Sequence, residues 1–194
     1  MAQFAFDWFS HNIPLWDRLL NRFKGQPDLH FLEIGCFEGR ATTWLLENVL
    51  TAPTAHITCL DTFEGGATEQ RLALDVPNLE ARFRANVAPH SARVRVLKGV
   101  SQQELPKLHA SPPPFDFVYV DGSHAACDVL EDSVHAWRLC KPGGLVIWDD
   151  YLWDRLPDLL HRPGPAVDAF LALFARQYEL LHKGYQVAVE KLAR

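Results

Sequence analysis

Short apolar runs alternate along the chain with amphipathic segments, and this alternation predicts strands and helices in turn. We predict five strands of four to six residues at His30–Ile34, His56–Leu60, Val94–Leu97, Phe115–Val120 and Leu145–Trp148. A final pair of strands is predicted at Tyr178–His182 and Gln186–Glu190, joined by a turn at Gly184. The spacing predicts helices over Ala41–Leu50, within Glu69–Ala88, and over Ser101–Leu108, His124–Leu139 and Pro165–Gln177.

This order of elements predicts an α/β fold. Strands that alternate with helices form a doubly wound, mostly parallel sheet covered on both faces. With the final pair as an antiparallel edge hairpin, the sheet has seven strands. Residues 1–27 are predicted to form a helical cap, because apolar side chains from Ile13 to Phe23 follow helical spacing before Gly25 and Pro27.

The length of the chain predicts one domain over residues 1–194, with a core over 28–194 that carries a long insertion at 62–90. The triple proline Pro112–Pro114 predicts a stiff connector at Ser111–Pro114. Lys141-Pro-Gly-Gly144 predicts a turn that leads into the fifth strand and carries no chemistry.

Composition narrows the classes of protein. The apolar share of 48% and charged share of 22% are ordinary for a globular domain. A net charge of −5 without a basic stripe argues against nucleic acid as a partner. No run of about 18 apolar residues predicts a membrane span. Four separated cysteines, Cys36, Cys59, Cys127 and Cys140, predict reduced buried thiols and a cytoplasmic protein.

The segment Phe31-Leu-Glu-Ile-Gly-Cys-Phe-Glu-Gly-Arg40 has the form of a ligand-binding turn. An apolar strand runs into an acidic residue and two glycines, and a helix follows at Ala41. Ligands of open α/β sheets bind at such turns, at the carboxyl ends of strands. The Gly-x-Gly of dinucleotide enzymes and the Gly-Lys-Ser/Thr of phosphate-binding loops are both missing. The turn therefore predicts a nucleoside ligand without a phosphate chain.

Further motifs follow in the order that one enzyme class uses. They are Thr58-Cys-Leu-Asp61, Gly99-Val-Ser-Gln102, Val120-Asp-Gly-Ser-His124, Lys141-Pro-Gly-Gly144 and Trp148-Asp-Asp150. Together with the glycine turn, they make residues 28–190 resemble class I S-adenosylmethionine-dependent methyltransferases, which have a Rossmann-like fold. Within that class, the chain is most similar to small metal-dependent O-methyltransferases of the catechol and macrocin-type sugar groups.

The resemblance implies a binding site for S-adenosylmethionine. Its residues here would be Glu33, Gly35, Phe37 and Gly39 near the methionine part, Asp61 and Thr62 near the ribose, Ser101 and Gln102 near the adenine, and Asp121. A carboxylate near the sulfonium and the ammonium group favours the cationic ligand. Ser101 is also a candidate N-cap, with Glu104 in capping-box position. Ala41 stands where the family usually has Ser or Thr, a loss for which Thr42 is the candidate replacement.

The resemblance also implies a divalent cation beside the methyl donor. Asp121 ends the fourth strand and Asp149 and Asp150 end the fifth, so the three carboxylates are expected to converge. Oxygen ligands suit a hard ion such as Mg²⁺. His124 stands where the catechol enzyme has lysine, and it is the candidate general base. Asp121 and His124 are thus the expected catalytic residues.

These expectations describe a cation-dependent O-methyltransferase for a small hydroxylated acceptor, such as a catechol or another vicinal diol. A metal-independent N-methyltransferase and a non-catalytic module that binds S-adenosylmethionine stay open as alternatives. Tyr151, Trp153 and Arg155 are candidates for the acceptor pocket, and a packing role fits them equally well. Aromatic residues of the cap, Trp8, Phe9 and Trp16, are expected to cover the site or to mediate a homodimer.

Overall fold

A computed structural model describes residues 2–66, 78–110 and 113–193 of the protein. Its strands form one sheet with the order β3-β2-β1-β4-β5-β7-β6. The first five strands pair in parallel, whereas β7 is antiparallel to both β5 and β6. The strands are β1 His30–Ile34, β2 His56–Asp61, β3 Val94–Lys98, β4 Phe115–Val120, β5 Cys140–Trp148, β6 Tyr178–Lys183 and β7 Val187–Lys191. The predicted fold, a doubly wound sheet with an antiparallel edge hairpin, is confirmed.

Helices cover both faces of this sheet. Within the described residues they are α1 Ile13–Leu19, α2 Arg40–Asn48, α3 Leu79–Val87, α4 Ser101–Glu104, α5 Ala126–Leu139 and α6 Pro163–Leu173. None of them combines the length and the apolar character that a bilayer-spanning helix needs.

Alternate residues of the central strands enter two different apolar cores. Phe31 and Tyr119 pack with Trp16 and Leu45 on the face of α1, α2 and α3. Leu32 and Val118 pack with residues of α5 and α6 on the other face. Because both faces are covered, β1 and β4 are apolar along nearly their whole length, which is why their sequences show continuous runs.

The cap is helical over a shorter stretch than predicted. Short 3-10 helices at Ser10–Asn12 and Asn21–Phe23 flank α1, and residues 2–9 have no helix. Trp16 is fully buried beneath α1, and its indole Nε1 donates to Gln186 Oε1 at 2.8 Å. The cap is therefore joined to β7 and its preceding turn by packing and by a buried hydrogen bond.

Several predicted boundaries were wrong. Helix α5 begins at Ala126, so His124 lies in the preceding loop. The predicted turn at Lys141-Pro-Gly-Gly144 lies inside a longer β5, where the register shifts against β4. Ser101 is not an N-cap, because Val100 takes that position and no side chain caps the helix.

Cys127 is exposed, whereas the other three cysteines are buried free thiols, as predicted.

Two predictions lie partly outside the described residues. The helix expected within Glu69–Ala88 is present as α3 from Leu79, and its earlier part falls in residues 67–77. The connector Ser111–Pro114 includes residues 111–112, which are likewise not described.

Gly35 permits a close approach between the backbone segments that directly follow β1 and β4. It has φ of +80°, and a Cβ there would overlap the Asp121 carbonyl oxygen and lie 2.7 Å from the Cα of Gly122. Gly143 also has a positive φ, +77°, but a Cβ there would meet no atom within 4 Å. The two glycines share the backbone requirement and differ only in the space available.

We expect Gly35→Ala to destabilise the fold more than Gly143→Ala. Positive φ alone costs about 1–2 kcal/mol at either position. At Gly35, overpacking against β4 adds about 1–3 kcal/mol or more. Urea unfolding of both variants measures the difference, and equal losses would show that the Gly35 contact does not constrain the fold.

Candidate active site

A cavity of about 1010 Å³ opens at the carboxyl edge of the sheet, around the ends of β1 and β4. Helices leave these two neighbouring strands toward opposite faces, which opens a crevice at that point. Most residues of the predicted site line the cavity: Glu33, Gly35, Phe37, Asp61, Thr62, Ser101, Gln102, Asp121, His124, Asp149 and Asp150.

Gly39 is the exception among the predicted cofactor residues. It does not line the cavity. Its φ is +79°, and a Cβ would lie 2.9 Å from the Phe83 ring of α3. Glycine is therefore required at this position for the turn into α2 and for packing of α3, and its contact with the cofactor stays a prediction.

Asp61 holds the turn after β1 in place. Its Oδ2 accepts hydrogen bonds from the backbone N–H of Cys36 at 2.8 Å and of Phe37 at 2.9 Å. Its Oδ1 accepts from the N–H of Phe63 at 2.7 Å. In phosphate-binding turns such amides face the phosphate. Here the protein's own carboxylate occupies two of them, which fits a ligand without a phosphate chain.

Glu33 is a buried carboxyl group beneath the same turn. The Thr42 hydroxyl donates to its Oε2 at 2.6 Å. Burial, opposed by this hydrogen bond and assisted by the charge of Asp61, raises the pKa of Glu33 from 4.5 to about 8. Glu33 is therefore mostly neutral at pH 7, and a cationic group in the cavity would favour loss of its proton.

Thr42 is fully buried against Glu33 and is not among the cavity-lining residues. It therefore tunes Glu33 and does not replace the polar side chain that Ala41 lacks.

Ser101 and Gln102 lie at the start of α4, on the cavity wall. The Ser101 side chain interacts with the carboxyl group of Asp132 in α5 and acts to lower its pKa. Burial raises the pKa of Asp132 to about 7, and its Oδ1 has no hydrogen-bond partner among the described residues. Asp132 is thus a buried neighbour of Ser101 that the motifs did not indicate.

Two carboxyl groups share the hydroxyl of Tyr119, at the ends of β4 and β5. The Tyr119 hydroxyl lies 2.9 Å from Asp121 Oδ2 and also contacts Asp149 Oδ2. Burial and the charges of Asp149 and Asp150 raise the pKa of Asp121, and burial and the charge of Asp150 raise the pKa of Asp149. The three acidic groups are therefore near neighbours, as expected.

Their hydrogen bonds point in different directions, however. Asp149 accepts from Gln186 Nε2 at 2.8 Å, from the backbone N–H of Asp150 at 2.7 Å and from Asn12 Nδ2 at 3.4 Å. Asp150 bonds to His124 instead. Within the described ranges, no group of three or more His, Cys, Asp or Glu side chains is arranged to hold a metal ion. The arrangement as it stands does not fit a bound cation, and the metal site stays a prediction.

His124 and Asp150 form a defined pair. His124 Nε2 lies 2.6 Å from Asp150 Oδ2, and the imidazole stacks on the Trp153 indole with ring centroids 4.5 Å apart and planes 8° apart. Asp150 has φ of +56°, unusual for a residue with a side chain. Because Nε2 faces a carboxylate, it carries the proton, and the lone pair of the neutral ring lies on Nδ1.

The N-terminal segment closes one side of the cavity. The backbone N–H groups of Ala5 and Phe6 donate to the buried Glu38 Oε2 at 2.7 and 3.4 Å. Trp8 stacks against Phe6 and lies near Phe37, with ring centroids 5.0 Å apart in both pairs. Trp8 and Phe9 line the cavity, as the covering role predicted, whereas Trp16 is buried in the core.

Comparisons with known proteins agree with this geometry. A family model described as a methyltransferase domain matches residues 32–151. The chain therefore belongs to this methyltransferase family, which confirms the resemblance to methyltransferases drawn from its motifs. A curated relative, the uncharacterized protein R132 of Acanthamoeba polyphaga mimivirus, is 25% identical over 145 residues, which are 74% of this chain and 60% of that protein. The chain thus spans less than two thirds of that relative.

Solved structures show the same fold. An O-methyltransferase from Bacillus cereus, in complex with S-adenosylhomocysteine, has a TM-score of 0.67 at 18% identity, covering 98% of this chain and 84% of that one. MycE, a methyltransferase of the mycinamycin pathway in complex with Mg, S-adenosylhomocysteine and mycinamycin VI, has a TM-score of 0.68 at 19% identity. That match covers 96% of this chain and 51% of MycE.

The unusual state of Glu33 predicts a pH dependence of stability. Its pKa is about 8 in the folded protein, against an ordinary 4.5, so the folded state binds more protons between these values. The stabilising contribution is complete below the lower value and is lost as the pH rises through about 8. Glu33→Gln should therefore lose less stability than the wild type between pH 5 and pH 9.

Urea unfolding across that pH range measures the two slopes. Glu179→Gln, which removes an exposed carboxyl group of β6, serves as the control and should keep the wild-type slope. If Glu33→Gln also keeps it, Glu33 is not the neutral buried acid described here.

Proposed function

We propose that the protein is an S-adenosylmethionine-dependent O-methyltransferase that acts on a small hydroxylated acceptor. The observation that carries this proposal is the His124–Asp150 pair in the wall of a cavity that Glu33 and Asp61 also line. The family match supports methyl transfer, and the bound S-adenosylhomocysteine in the Bacillus cereus structure supports the identity of the donor.

The residues present fit this donor. Glu33 offers a buried carboxyl group to a sulfonium and an ammonium group, and Asp61 keeps about one lone-pair site for a ribose hydroxyl beside its three backbone hydrogen bonds. Ser101 and Gln102 provide polar groups for an adenine. When bound, S-adenosylmethionine supplies an electrophilic methyl carbon that needs no further activation.

The protein's own task is then to position the acceptor and remove its proton. His124 Nδ1 accepts the proton of the acceptor hydroxyl, and the carboxylate of Asp150 stabilises the imidazolium that forms. Trp153 fixes the plane of the ring from one side. Because Asp150 and Trp153 hold the imidazole in one orientation, the base is positioned before the acceptor binds.

A planar diol, such as a catechol, suits the remaining space. Trp8, Phe37 and Tyr185 offer aromatic surface along the cavity. A cavity of about 1010 Å³ lies at the upper end of the roughly 300–1,000 Å³ typical of single-ligand pockets, so donor and acceptor have room together.

Dependence on a divalent cation is part of the proposal, on separate grounds. Asp121, Asp149 and Asp150 supply the oxygen atoms that Mg²⁺ prefers, and their mutual repulsion would be relieved by a cation. The MycE complexes that share this fold contain Mg. Because the three side chains are committed to other partners, we assign the cation no step in the proton transfer.

Removal of the base should separate chemistry from binding. We expect His124→Gln to lower kcat by about 10²–10⁴-fold, the usual contribution of a positioned general base. Affinity for S-adenosylhomocysteine, measured by calorimetry, should stay within a few-fold because the donor lies on other residues. His135→Gln, on the far part of α5, is the matched control. A kcat close to that of the wild type in His124→Gln would contradict the assignment.

The cation is tested by chelation. We expect exhaustive treatment with EDTA to reduce turnover at least about tenfold and added Mg²⁺ to restore it, because a bound cation would help to orient the acceptor. Affinity for S-adenosylhomocysteine should not change. Turnover that survives chelation would contradict the dependence on a cation.

A further inference from the structure

The acceptor side of the cavity carries a cationic group for which the proposed reaction has no use. Arg155 lines the cavity in the segment that follows β5. Its charge acts on the Tyr185 hydroxyl, which also interacts with Asp150. Arg155 therefore lies on the same side of the cavity as the His124–Asp150 pair.

The segment that carries Arg155 is held by its own hydrogen bonds. The guanidinium group of Arg162 donates to the backbone carbonyls of Leu156 at 2.6 Å and Pro157 at 3.3 Å. The backbone N–H of Trp153 donates to the carbonyl of Asp150 at 2.9 Å. Hydrogen bonds therefore hold the backbone on both sides of Arg155, and they keep this residue at the cavity.

Arg155 also differs from Arg162 in what its guanidinium contacts. Arg162 is used by the backbone of its own segment, whereas Arg155 makes no hydrogen bond or ion pair with any residue of the ranges 2–66, 78–110 and 113–193. A guanidinium group presents a planar fork of donors that matches a carboxylate with two parallel hydrogen bonds.

The acidic and basic groups of this side of the cavity differ in exposure. The acidic residues Asp121, Asp149 and Asp150 lie at the ends of β4 and β5 and are buried or half-buried, whereas Arg155 lines the same cavity and is exposed. An anionic group would be repelled by the carboxylates and attracted by the exposed guanidinium group. A ligand with a hydroxyl at one end and an anion at the other would enter in one orientation.

We propose that the methyl acceptor carries a carboxylate, which Arg155 binds while the acceptor hydroxyl faces His124. This inference rests on the proposed O-methyltransferase function and narrows its substrate class to hydroxylated aromatic acids. Arg155 determines specificity and takes no part in the proton transfer.

The test compares 3,4-dihydroxybenzoate with its methyl ester as acceptors. The wild type should prefer the acid. Arg155→Gln should lower kcat/KM for the acid roughly tenfold or more, mainly through KM, because a charged hydrogen-bonded pair is lost. The ester should be affected less than twofold, and Arg155→Lys should fall between the two for the acid. Arg95→Gln, an exposed arginine of β3 away from the cavity, is the control.

The outcomes separate the two proposals. Equal losses for acid and ester, no loss for the acid, or a wild-type preference for the ester would overturn the carboxylate assignment and leave the methyltransferase function standing. Calorimetric binding of the acid to the protein loaded with S-adenosylhomocysteine should weaken in Arg155→Gln by the same factor as KM rises. Absence of methyl transfer to both acceptors, with no binding of the acid, would overturn the proposed function and this inference together.

Discussion

The backbone segments that directly follow β1 and β4 touch where Gly35 meets the carbonyl of Asp121. These two strands are the neighbours from which helices leave toward opposite faces of the sheet, so a crevice must open beside their ends. A side chain at Gly35 would push the strand ends apart and displace both loops. The positions of Asp61, bound to the amides that follow Gly35, and of Asp121 both depend on this contact.

Several buried carboxyl groups lie around this crevice. Glu33, Asp121, Asp132 and Asp149 all have pKa values raised by burial. Burial of carboxyl groups is costly unless they bond or bind a cation. On the side of Glu33 a cationic methyl donor would provide that compensation, and on the side of Asp149 a hydrogen-bonded network already provides much of it.

That network also joins the cap to the site. Trp16 of α1 donates to Gln186, Gln186 donates to Asp149, and Asp149 meets the hydroxyl of Tyr119. The N-terminal segment is attached separately, through Glu38 of the glycine turn. Substitutions in the cap can therefore change the position of Asp149 through this hydrogen-bond network, without any contact to the substrate.

The strand order and the motif residues at strand ends could be predicted from the sequence, because continuous apolar runs that end in glycine turns are typical of parallel strands in this kind of sheet. Tyr119 could not, since within an apolar run it has no signal apart from its neighbours. The packing role of Gly39 against Phe83 could not be predicted either, because the sequence does not distinguish a glycine required by packing from one required by a ligand. The partners of Asp149 come from residues distant in sequence, Asn12 and Gln186, and no spacing rule links them.

A crystal structure with S-adenosylhomocysteine tests the central claim that the crevice beside Gly35 is the donor site. We expect the ribose against Asp61, the amino acid part near Glu33 and the sulfur facing the side of the cavity that holds His124. Ligand density elsewhere on the molecule, or a glycine turn that blocks the crevice in the complex, would contradict this claim.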